Sequence, residues 1–101
     1  MAREVIFHRL VQKDMTGIRR YYIEEAGEDL ADRFYDRFMA TIEKALSNPR
    51  HYHFLEKGRD IRRAPVKGFP YHFLYRETTF GIRVLVLRHD KRHWSFGLRR
   101  K

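Results

Sequence analysis

Arg62, Arg63, His72, Arg88, His89, Lys91, Arg92 and His93 crowd the second half of this chain, among several further cations and tyrosines. A set of this kind cleaves RNA without metal when one group takes the ribose 2′-OH proton, guanidinium groups stabilise the phosphate charge and an acid protonates the leaving oxygen. The same set can simply hold an acidic surface. Residue types alone are compatible with both.

Other chemistries fall away quickly. With no cysteine, disulfides, thiol nucleophiles and Cys-based zinc sites are excluded. His51 and His53, and His89 and His93, are the close histidine pairs, and neither fills a coordination shell, so no metal and no cofactor are expected. The acids of the basic half, Glu56, Asp60, Glu77 and Asp90, do not offer the paired carboxylates of a glycosidase. The glycines are too scattered for a phosphate loop.

Charge is distributed unevenly. The net +9 arises entirely after residue 50, because the first half balances its cations with acids. Of the 22 cations, Arg supplies the larger share, and its planar fork matches phosphate and carboxylate where Lys acts as a point charge. This asymmetry points to a functional basic face rather than a general solubility device.

The elements that must position these groups follow from periodicity. Residues 4 to 9, EVIFHR, read as a first strand. Val11, Met15, Ile18, Tyr22 and Ala26 then form a helical stripe that Gly17 weakens, and Gly27 ends it. Leu30, Phe34, Phe38, Ile42 and Leu46 recur every four residues in a second helix, which stops at Ser47, Asn48 and Pro49. Residues 49 to 60 read as a loop. Strands are predicted over 61 to 67, 69 to 76 and 82 to 89, the first at an edge because Pro65 lacks an amide donor, the last central because it is apolar on both faces.

These elements define an α+β fold in one domain, residues 1 to 101: an N-terminal strand, a helical hairpin and a three-stranded antiparallel sheet, with the helices on one face. The other face is expected to lie open and to carry some of Arg63, His72, Arg76, Arg83, Arg88 and His89. KGFPYHFL, residues 67 to 74, superficially matches the aromatic signature of RNA-recognition sheets, but Pro70, His72 and Leu74 break it, so Phe69, Tyr71, Phe73 and Tyr75 are assigned to the core. Trp94, Phe96 and Leu98 alternate and are expected to clamp the tail to the sheet. No stretch approaches the ~20 apolar residues needed to span a bilayer, and a cytoplasmic protein without membrane association is expected.

FPYHFLYR at 69 to 76, followed by IRVLVLRHDKRHWSFGLRR at 82 to 100, resembles the RelE/ParE superfamily of bacterial type II toxin–antitoxin toxins, in its plasmid-stabilisation or ParE-like branch. The resemblance extends over nearly the whole chain. It implies a toxin that arrests growth, by gyrase inhibition or by ribosome-dependent mRNA cleavage, and that a cognate acidic antitoxin neutralises. For the cleavage branch it implies His72, His89 and Arg92 as catalytic candidates, with Arg62, Arg63, Arg88, Lys91 and His93 binding phosphate or target. The superfamily's Arg on the third strand and its terminal Tyr are replaced here by His72 and by no Tyr at all. The alternative is a non-toxic basic module that binds nucleic acid or an acidic protein on the same face.

Overall fold

The computed structural model describes residues 3 to 55 and 60 to 101, so residues 56 to 59 of the expected loop lie outside the described residues. Its elements run β1 (Glu4–Phe7), α1 (Val11–Ala26), α2 (Glu28–Ser47), β2 (Ile61–Pro65), β3 (Tyr71–Glu77) and β4 (Gly81–His89). The helices form where the four-residue spacing requires them. Ala31, Phe34, Phe38, Ile42 and Ala45 of α2 are buried in one stripe, and Val11, Met15 and Tyr22 of α1 complete the layer, whereas Ala26 is exposed.

The sheet corrects the expected three antiparallel strands. It has four, in the order β1-β4-β3-β2, and β1 joins β4 in parallel register, Phe7 opposite Val84. A parallel neighbour needs a long crossover connection, and here the helical hairpin and the following strands supply it. Gly81 permits the close join: a Cβ there would fall 2.0 Å from the Glu4 carbonyl oxygen. Pro65 does end an edge strand, and β4 does lie between two neighbours.

Tyr71, Phe73 and Tyr75 face the helices, with Phe34 edge-on to Tyr71 and to Phe69 and Phe38 edge-on to Phe73. The Tyr75 hydroxyl donates to the Pro49 carbonyl at 2.7 Å, which satisfies a phenol in the core. Burial pushes that phenol up to about 12.

The opposite face is not open, contrary to expectation. Ile61, Leu74, Leu85 and Val86 form a second buried cluster there, and Leu55, Phe96 and Leu98 close over it. A bulge at Leu85 makes this possible. Leu74 pairs with Val86 but Tyr75 pairs with Val84, so the extra residue turns both Leu85 and Val86 onto this face. Sequence already showed two apolar alternating sets in β4; the second set needs a cover, and the tail is that cover. At 101 residues the chain has little spare core, so leaving four aliphatic side chains wet would forgo ~1.5 to 3 kcal/mol for each.

Candidate functional site

Polar groups on the tail-covered face are pushed to its two ends by this apolar centre. His72 and Arg88 are cross-strand partners at one end; Arg76 and Arg83 are partners at the other. The tail runs between them. Asp90 sits beside His72, Phe96 and Leu98 cover the middle, and the Lys101 main-chain oxygen receives Nε and Nη2 of Arg83.

His72 is 2% exposed and both ring nitrogens are engaged. Arg88 Nε donates to its Nε2 at 2.9 Å, which requires the ring proton on Nδ1, and Nδ1 donates to Asp90 Oδ1 at 2.8 Å. Burial is the main cause that lowers this imidazole to about 4; the Asp90 hydrogen bond opposes the shift, and Arg63 and Arg88 add to it. His72 is therefore neutral at pH 7. Arg63 closes the cluster by donating to the same Asp90 oxygen at 3.2 Å.

Arg88, 6% exposed, points away from solvent. Its Nη1 donates to the carbonyls of Trp94 at 2.8 Å and Phe96 at 2.7 Å, so a strand guanidinium ties down the tail. Burial, then the Arg63 charge, draws Arg88 below the ordinary arginine value. Gly97 follows, in the left-handed region at φ 84° and packed so closely that a Cβ would lie 2.7 Å from the Val86 side chain.

The remaining predicted residues go elsewhere. Arg62 lies at the β2 edge, its guanidinium 3.8 Å from the Phe54 ring centre and donating to the Tyr52 carbonyl. His89 and Arg92 line one groove between α1 and β4, together with Lys13 and Gly17. Arg92 stacks over Phe96 at 4.0 Å. Lys91 and His93 are exposed, and His93 Nδ1 meets the Ser95 hydroxyl at 2.8 Å. Thus His89 and Arg92 come together, while His72 is sealed off.

Three structural partners escaped the sequence reading: Asp90, Asp14 and Arg100. β1 ends opposite Val84, and side chains serve the rest of that edge. Asp14 Oδ2 accepts the Leu87 amide, and Arg100 Nη1 donates to the Leu85 carbonyl. The available signal for Asp14 was its place as an acid in the first turn of α1, where the helix dipole favours an anion. No group of three or more potential metal ligands occurs among the described residues. Nor is any described helix long and apolar enough to cross a membrane.

Fold and site together define a basic α+β protein whose C-terminal segment is strapped over a mixed sheet. Residues 5–94 match the family model described as ParE toxin of type II toxin-antitoxin system, parDE, and the chain belongs to that family. Among solved structures, it is similar to a chain of the "Chromosomal ParDE TA system from P. aeruginosa", with a TM-score of 0.74 and 15% identity, covering 86% of this chain and 95% of that one. At that identity the likeness concerns the fold. No curated protein sequence matches significantly.

Proposed function

We propose that this protein arrests growth by binding DNA gyrase rather than by cutting mRNA, and that a cognate acidic antitoxin neutralises it. The observation that supports this reading is the sealing of His72. A general base must reach the proton it takes, yet this ring is buried, neutral and hydrogen-bonded at both nitrogens. Arg88 likewise directs Nε to His72 and Nη1 to the tail carbonyls. Two of the proposed ribonuclease groups therefore act as structure, and the exposed cations Lys91 and Arg92, with His93 beside them, are left to engage a target.

The antitoxin fits the groove between β1, α1 and α2. Phe7 and Tyr35 are about two-fifths exposed there beside Met15 and Met39, and Arg9 stands at the rim. An amphipathic acidic segment would bury the apolar floor and pair with the cation.

Purified protein should inhibit gyrase supercoiling, and leave ribosome-bound transcripts uncut by primer extension. Cut transcripts with normal supercoiling would overturn the proposal. The placement of His89 and Arg92 in one groove is the observation that favours the ribonuclease reading. In that reading a His89→Ala, Arg92→Ala protein loses toxicity together with the cuts.

A further inference from the structure

The two edges of the sheet are finished differently. Along β2 the chain covers itself: the Leu55 amide donates to the Ile61 carbonyl at 2.7 Å, the Arg63 amide donates to the His53 carbonyl at 3.0 Å, and Pro65 ends the strand. Along β1 no such cover occurs among the described residues. The Glu4 and His8 amides donate to the Phe80 and Val84 carbonyls, both at 2.8 Å, so strand alternation turns the N–H and C=O groups of Val5 and Phe7 away from β4. These outward groups have no hydrogen-bond partner among the described residues.

Open edges are commonly blunted by lysine, proline or a bulge. The sequence EVIF has none of them, and Ile6 is 44% and Phe7 38% exposed. Such an edge is a template for a further strand. Residues 1 to 50, which include β1, hold as many acids as cations, so the net +9 of the second half neither draws an acidic strand to this edge nor opposes a like one.

The edge also complements itself. When two copies of β1 lie antiparallel with Ile6 opposite Ile6, Val5 of each copy meets Phe7 of the other, and their outward N–H and C=O groups exchange hydrogen bonds. Ile6 then occupies the closer, non-hydrogen-bonded position. Glu4, which makes no ion pair among the described residues, falls opposite His8 on the same side of the strand. His8 Nδ1 accepts the Leu10 amide at 3.1 Å, which leaves Nε2–H of the neutral ring to donate to that carboxylate.

We propose that the free protein forms a two-fold dimer through β1, joining two four-stranded sheets into one. The pairing is isologous and closes on itself, because the β2 edge is already covered. Phe7 also lines the groove between β1, α1 and α2, so the second copy reaches the seat assigned above to the antitoxin. That consequence rests on the antitoxin reading; the dimer does not.

Light scattering on the purified protein from about 1 μM to about 1 mM should show the mass rising from one chain to two. Ile6→Lys sets two ammonium groups at the closest pair and should weaken association by about tenfold or more. Ile23→Lys, at a similarly exposed apolar site on α1, should not. Hydrogen exchange in the unaltered protein reads the edge directly: on concentration the Val5 and Phe7 amides should gain protection, whereas the Ile6 amide, already turned toward β4, should not. One chain's mass throughout, association that survives Ile6→Lys, an equal loss in Ile23→Lys, or a dimer with unprotected Val5 and Phe7 amides would overturn the proposal. Neither antitoxin nor gyrase enters the measurement, so its failure leaves the growth-arrest reading untouched.

Discussion

Asp14 and Arg100, 86 residues apart, meet in a two-pronged ion pair, Nη1 to Oδ2 at 2.6 Å and Nη2 to Oδ1 at 3.2 Å. Both side chains are only about a tenth exposed. The pair joins the first turn of α1 to the tail, and each partner also bonds the β4 backbone. Three elements therefore share one contact.

Removing one partner strands the other in a dry place, which typically costs about 3 to 5 kcal/mol. Arg100→Ala should accordingly lower stability by about 3 kcal/mol and release the tail to trypsin. A double-mutant cycle with Asp14→Ala measured by urea unfolding checks it. Additive single and double effects would show the pair to be uncoupled.

Stability should fall with acid. Unfolded His72 takes a proton below about 6.5 and the folded ring only below about 4, so between these values the unfolded state binds more protons. The contribution is complete above pH 6.5 and is lost as pH drops toward 4, on the order of 3 kcal/mol in all. Unfolding at several pH values should show this slope, and the His72 ring resonances should titrate near pH 4. A midpoint at the ordinary histidine value would show that the ring is not held neutral by burial.

Two glycines should respond oppositely to alanine. At Gly17 a Cβ meets nothing within 4 Å, so Gly17→Ala should stabilise α1 by about 1 kcal/mol through helix propensity. At Gly97, Ala meets both the left-handed backbone, about 1 to 2 kcal/mol, and the Val86 side chain. Thermal unfolding should rise in the first protein and fall in the second, with the tail more readily clipped. An unaltered Gly97→Ala protein would show that the tail is not closely seated.

His72→Ala should act on stability, not on chemistry. It leaves Asp90 and Arg88 without their shared partner, at about 1 to 3 kcal/mol. Toxicity per folded molecule should persist at a temperature where the variant remains native. Full loss of toxicity in a stable, folded protein would return His72 to the active groups.

Much of the fold was legible because local rules sufficed. The four-residue spacing from Leu30 to Leu46 marked α2, Pro65 marked an edge and the apolar run of β4 marked a central strand. β1 is only four residues long and carries no local mark of its partner, so its parallel pairing with β4 stayed hidden. The candidate site was harder to read. Arg63, His72 and Arg88 were singled out by type, but type does not distinguish a group aimed at a ligand from one aimed inward at Asp90 or at a carbonyl.

Sequence by itself determined the elements, the aromatic core and the gathering of charge after residue 50, because helical and strand periods and composition are properties of neighbouring residues. Only the tertiary structure decided where that charge went. The tail's path over Leu74, Leu85 and Val86 depends on a close approach at Gly97 and an ion pair spanning 86 residues. Such contacts exist only once the sheet has brought distant backbone together. The same tail buried His72 and Arg88 beneath it, and left Arg9 and Arg99 exposed.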